Sequence, residues 1–194
     1  MTYKHTTREV KIKLTKMKII AFSAIAIVLT ILYVSYPYLQ KWYESTQPIT
    51  EINYFGVPMK FREDIRLSRN IEVYPSETQI KAIFRSKNVS SVTIGILNFT
   101  NETNVIGVEA VEITFKLSSF YTLASMPVVI KGKEIGGIYD ISGNSTNPVI
   151  IIIPPSISNE TLIRVENYTV FIYGKTLKEL DLATIRFISL VLGI

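Results

Sequence analysis

The chain has 194 residues, 47% of them hydrophobic, which suits a packed domain with a tail and excludes a disordered chain. It contains no cysteine, so disulfide scaffolds, thiolate metal sites and cysteine nucleophiles are excluded. The net charge is +5, and the single histidine, His5, stands in a basic N-terminal stretch, which excludes a Ser-His-Asp triad or a His-rich metal site in the folded part.

The charge is confined to one end. Residues 1–18 carry Lys4, Arg8, Lys11, Lys13, Lys16 and Lys18 against Glu9. From residue 42 onward, 14 Lys and Arg stand against 15 acids. A basic flank is not a basic domain face, so no nucleic-acid partner is expected. Residues 19–40, IIAFSAIAIVLTILYVSYPYLQ, run 22 positions without a charge. A helix of about 20 residues crosses the hydrocarbon core. The preceding basic residues predict a cytoplasmic N-terminus, and Tyr33, Tyr36, Tyr38, Trp42 and Tyr43 resemble an interfacial aromatic belt. Pro37 ends or kinks the helix. The expected organisation is a basic cytoplasmic tail (1–18), a transmembrane helix (19–40), a connector (41–53) and an extracellular domain (54–194), on a permanent single-pass anchor in the cell membrane. Two other readings of the anchor fit less well. A cleaved signal peptide has Ala24-Ile25-Ala26 as a cleavage motif, but that motif lies mid-run, and the run is long for a signal. A pilin-type leader lacks a small residue after Lys18.

This topology makes a second prediction. Domain residues outside the cytoplasm can carry N-linked glycans on Asn-x-Ser/Thr sequons. With ten asparagines, chance supplies roughly two sequons. The chain has six, at Asn88, Asn98, Asn101, Asn144, Asn159 and Asn167. Asn and Thr also coincide in turns for conformational reasons alone. Glycans at Asn98 and Asn101, three residues apart, would crowd each other.

Within the domain, residues 54–64, YFGVPMKFRED, read as a strand ending at Phe61-Arg62. A short apolar piece at 71–73 precedes Pro75. Ser76-Glu77-Thr78-Gln79 fits a capping box and opens a helix over 77–86. Residues 89–97 read as a strand by β-branched content. Residues 105–123 carry both periods. Val111, Ile113, Phe115 and Leu117 alternate with polar residues as in a strand. The length, and stripes of Val108, Val111 and Phe115 and of Ala110, Ile113 and Leu117, favour a buried helix. Residues 127–130 read as a short strand and 131–147 as a Gly-rich loop. PVIIIIP, 148–154, reads as an interior strand covered on both faces. Strands at 161–164 and 169–173 flank a turn at Asn167. Thr176-Leu-Lys-Glu179 is a second capping box. It opens a helix to about Leu192, with Leu177, Leu180, Thr184, Phe187, Ile188 and Val191 facing inward and Gly193 as its stop. The order predicts an α/β sandwich with a mixed sheet and helices on its faces. An all-β sandwich is the alternative if 105–123 is strand.

Chemistry is sparse. Lys133-Glu-Ile-Gly136-Gly137 with Gly143 matches neither GxxxxGK[ST] nor GxGxxG, so no cofactor is expected. No spacing supports a Ser-Lys pair from Ser142, Ser145 and Lys133. Arg62, Glu63, Asp64, Arg66 and Arg69 form the densest charged constellation outside the tail. Arginines there suit bidentate grip of a carboxylate or phosphate, and Glu63 with Asp64 suits a carboxylate pair or a hard-cation site. A solvated, salt-bridged face explains the same residues. They are the first candidate for a partner contact. Glu109 and Glu112 share a face only on a helix. Glu179 and Asp181 sit where a helix dipole favours acids.

The stretches YFGVPMKFREDIR, IEVYPSE and GKTLKELDLATIRFISLVLG, with the Ile, Asn, Ser and Thr bias, resemble archaeal single-pass membrane proteins of thermoacidophile type with a glycosylated external domain. The resemblance spans roughly residues 54–194 and implies no activity. The expected role is non-enzymatic: a membrane-anchored external domain that binds other membrane or envelope proteins in a larger assembly. One alternative is a small-molecule or ion sensor with a pocket near 131–147 lined by Arg62, Arg66 or Asp140. The other is a hydrolase built on two facing carboxylates.

Overall fold

The computed structural model describes Tyr33 and residues 50–194. The predicted tail, the predicted span apart from Tyr33, and residues 41–49 of the connector lie outside the described residues. Among the described residues, no helix is long and apolar enough to cross a membrane.

The domain starts with a hairpin of β1 (Thr50–Tyr54) and β2 (Val57–Phe61). Its two-residue turn puts Phe55 at φ 48° and Gly56 at φ 88°. Positive φ at both positions matches the right-handed twist of the strands. The Gly56 amide donates to Asn53 Oδ1 at 2.7 Å. The end of the expected connector is therefore strand, because pairing with β2 overrides its polar composition. One helical turn, α1 (Ile65–Ser68), follows and was not expected, since a single turn has no readable period. Then come β3 (Glu72–Tyr74), α2 (Glu77–Phe84), β4 (Ser91–Leu97), α3 (Thr103–Leu123), β5 (Val129–Ile135), β6 (Val149–Ile153), β7 (Leu162–Glu166), β8 (Thr169–Tyr173) and α4 (Leu177–Leu192). The domain is α/β, with a mixed six-stranded sheet. Residues 103–123 are helix, which sets aside the all-β alternative.

The sheet order is β3-β7-β8-β6-β4-β5. Strands β5, β4, β6 and β8 are mutually parallel, β7 is antiparallel to β8, and β3 is parallel to β7. The chain leaves β4 through α3 to reach the edge strand β5, then returns across β4 to form β6. Right-handed crossovers in opposite directions lie on opposite faces of a sheet. Residues 136–148 therefore cover the face away from α3. Side chains agree: Gly95, Ile151 and Phe171 are lateral neighbours, a Cβ on Gly95 would lie 3.3 Å from Ile141, and Tyr139 packs on Phe171 at 5.8 Å between centroids. The helices group around α4, which packs against α1, α2 and α3. A loop thus covers one face where helices on both had been expected. Cover on both sides explains why every residue of β6 and β8 is buried, as the run PVIIIIP predicted.

Several local expectations are corrected. The expected loop 131–147 begins as strand, because β5 pairs with β4 through Ile135. Lys131, Lys133 and Glu134 hid it from the pattern; charges on an unpaired sheet edge block further strand addition. Ser76 occupies the N-cap of α2 but its hydroxyl makes no cap bond, and the helix stops at Phe84. Instead Glu77 pairs with Arg186 on α4. Half of the second capping box forms: Thr176 Oγ1 accepts from the Glu179 amide at 3.2 Å, while the Glu179 carboxylate accepts from the Thr176 hydroxyl and not from its amide. Gly193 ends α4 at φ 79°, its amide on the Ser189 carbonyl. Leu177 faces solvent, while Leu180, Thr184, Phe187, Ile188 and Val191 are buried as expected. Of the two stripes on α3, that of Ala110, Ile113 and Leu117 is buried and that of Val108, Val111 and Phe115 is exposed.

The covering loop is seated by a close approach at Gly143. Its amide donates to Thr169 Oγ1 at 2.8 Å, and a Cβ there would overlap the Tyr168 carbonyl. Backbone cannot yield as a side-chain tip does. Gly143→Ala is therefore expected to destabilise the domain by about 3 kcal/mol, read as a fall in thermal midpoint.

Candidate functional site

Arg62 follows β2 directly, and the buried side chains Met59 and Phe61 anchor that strand. They turn the guanidinium onto α3 and α4, where three carboxylates meet it. Nη2 donates to Glu109 Oε1 at 2.7 Å and to Asp181 Oδ1 at 3.1 Å, and Nε donates to Glu112 Oε2 at 3.2 Å. Lys116 donates to the other Glu112 oxygen at 2.6 Å, and its ammonium lies 4.5 Å from the Phe61 ring centroid. Three acids thus share two bases in a junction where Glu109 is 3% exposed.

Helical spacing explains the convergence from α3: residues 109, 112 and 116 lie three and four apart and share one face. Asp181 joins from the second turn of α4. Burial pushes the Asp181 carboxyl up to about 7, aided by the Glu109 charge and opposed by Arg62. Burial also raises Glu109, against the lowering pull of Arg62. Burial alone would lower Arg62, but the carboxylates of Glu109, Asp181 and Glu112 more than reverse it. Among the described residues, neither Glu109 Oε2 nor Thr184 Oγ1 has a hydrogen-bond partner.

The five residues of the charged constellation do not form one surface. Arg62 is turned inward. Glu63 is 3.7 Å from Lys178. Asp64 caps α1 by accepting from the Arg66 amide, and its carboxylate pairs with the Arg66 guanidinium at 2.8 Å. Arg66 and Arg69 are exposed. The carboxylates that hold Arg62 are 47, 50 and 119 positions away. The sequence had marked Glu109 and Glu112 as sharing a helical face, but had read Asp181 as a dipole partner only. The groove beside the 136–148 loop is lined by Tyr139, Ile141, Gly143 and Phe171 among others, and by none of Arg62, Arg66 and Asp140.

All six sequon asparagines are exposed. So are Asn53, Asn70 and Asn104, which lie outside sequons, so exposure alone does not single out acceptors. Their placement is more informative. Asn88, Asn144 and Asn167 precede β4, β6 and β8, at the amino end of the parallel strands. Asn88, Ser145 and Asn167 line one groove there. Asn98, Asn101 and Asn159 follow β4 and β6, at the carboxyl end. At that end the Ser156 amide donates to Glu102 Oε2 at 2.9 Å, bridging the two loops.

The solvent face of α3 is unusual. Its three charged residues, Glu109, Glu112 and Lys116, all point into the Arg62 junction. Its exposed positions are Thr103, Asn104, Val108, Val111, Phe115, Ser118, Thr122 and Leu123, none of them charged. Surface helices normally show the reverse arrangement.

No protein-family model, curated protein or solved structure matches the chain.

Proposed function

We propose that the protein is a non-enzymatic, membrane-anchored, N-glycosylated external domain. It serves as an accessory or binding subunit of a cell-envelope membrane complex that secretes proteins, builds surface filaments or transfers glycans. One observation carries this reading. Open α/β sheets bind ligands outside the carboxyl ends of their strands, where the chain connections diverge. Here that point lies between β4 and β6. It is bridged by Glu102 and Ser156 and flanked by the sequons at Asn98, Asn101 and Asn159. A strand-end point spanned by a loop bridge and bordered by sequons suits a surface that glycans would shield, and not a substrate site. The uncharged outward face of α3 supplies an alternative means of action, through protein contact.

The carboxylates that face each other are each paired with Arg62 or Lys116, which favours a structural role over hydrolysis. A sensor pocket at the 136–148 loop is weakly supported, because Tyr139 and Ile141 of that loop pack on the sheet.

Native mass and composition, measured after gentle solubilisation from the source membranes, test the proposal. A glycosylated particle with stoichiometric companions is expected. A lone, unglycosylated monomer would overturn it.

A further inference from the structure

We propose that the outward face of α3 is a self-pairing surface, across which a second copy of this chain lays its own α3 antiparallel about a two-fold axis. This rests on the reading of the domain as a binding module and names one of its partners.

The helix has 21 residues, a length of about 31 Å at 1.5 Å per residue. Val108, Val111 and Phe115 at its centre are 49%, 70% and 64% exposed. With Asn104, Ser118 and Thr122 they form a stripe spaced four, three, four, three and four residues apart, the alternation that keeps one face of a helix toward a partner over a few turns. The stripe reads the same in reverse. An antiparallel two-fold axis at its middle sets Val111 against Phe115 of the second copy, Val108 against its Ser118, and Asn104 against its Thr122. Each larger side chain thereby meets a smaller one, and polar ends meet polar ends. Parallel pairing would instead stack Phe115 on its own copy. Space beside the seam is open, since a Cβ on Gly107 would meet nothing within 4 Å.

Charge selects the occupant. A two-fold axis brings like residues of the two copies close, so any charge on the stripe would repel its image. The helix has none there, because all three of its charges are held at the Arg62 junction. A helix that rests on a lipid surface carries Lys and Arg on its flanks, and α3 exposes neither. A charged peptide would find no counter-charge. A seam this small falls at the low end of interfaces, below about 1,200 Å². Confinement of both copies to one membrane raises their effective concentration.

The absence of native cysteine makes the test direct. Full-length Asn104→Cys and Thr122→Cys chains are reconstituted in vesicles, separately and mixed, and treated with a short bismaleimide. In the antiparallel arrangement positions 104 and 122 of opposite copies are neighbours, while two copies of position 104 lie about 27 Å apart. The mixture should yield a covalent dimer at least tenfold more abundant than either variant alone. Val111→Arg, placed in both chains, should reduce that yield at least tenfold without shifting the thermal midpoint, since its site is exposed. Strong cross-linking of Asn104→Cys alone, equal yields with Val111→Arg, or no dimer would each overturn self-pairing. If native particles nonetheless contain a different stoichiometric companion, the binding-module reading stands and only the choice of occupant fails.

Discussion

Arg62→Ala is expected to destabilise the domain by about 2–3 kcal/mol at pH 8, and by clearly less at pH 5. Removing one partner of a buried ionic cluster leaves the other charges desolvated and unpaired, a loss of about 3–5 kcal/mol for fully buried pairs. Arg62 keeps two-fifths of its side chain exposed, and water screens that part, so the expectation lies below that range. Without Arg62, the carboxylates of Glu109, Glu112 and Asp181 face one another with only Lys116 nearby. At pH 8 Asp181 and Glu109 must ionise beside one another or remain protonated at a cost. At pH 5 Asp181 and Glu109, both already raised, take up protons readily and the repulsion falls. Urea unfolding of the variant and the parent at the two pH values measures the difference. An equal loss at both would mean that Arg62 acts through packing of its aliphatic stem.

Asp181→Asn should have the opposite sign at high pH. The folded domain holds the Asp181 proton up to about pH 7, whereas the unfolded chain releases it near the ordinary value of 3.8. An acid raised in this way stabilises the fold below the unfolded value. That contribution is lost as pH climbs from about 4 through about 7. The full span corresponds to at most about 4 kcal/mol. The neutral amide cannot ionise, so the variant should match the parent near pH 4 and exceed it by about 2 kcal/mol at pH 8, with a flatter stability profile between. Loss of the Arg62–Asp181 contact, at 3.1 Å, sets the gain below the full span. A variant less stable than the parent at pH 8 would mean that the ion pair outweighs the burial of its charge. Together the two variants separate the guanidinium's role from that of the acids it holds.

Thr176 and Gly193 bound α4 where the residues themselves require it, because a cap needs only groups within a few positions of one another. PVIIIIP announced a strand buried on both faces, since no polar residue in it could face water. Residues 105–123 were legible as a helix through length and stripe, although strand alternation competed. The grouping of the charged residues was not legible. Arg62 was visible within a dense local constellation, yet its partners came from α3 and α4 and not from Glu63, Asp64 or Arg66. Ser76 stood in a capping pattern that the structure leaves unused, its hydroxyl making no cap bond. Lys131 and Lys133 read as loop until pairing with β4 made them an edge strand. Leu177 matched the inward stripe of α4 but lies in its first turn, where nothing covers it. Spacing along the chain thus determined the principal elements and most of their ends. Only the crossing of distant segments decided which charges are buried together, which sheet edge stays open and which stripe of α3 meets solvent, because those outcomes depend on what packs against each face and not on the face alone.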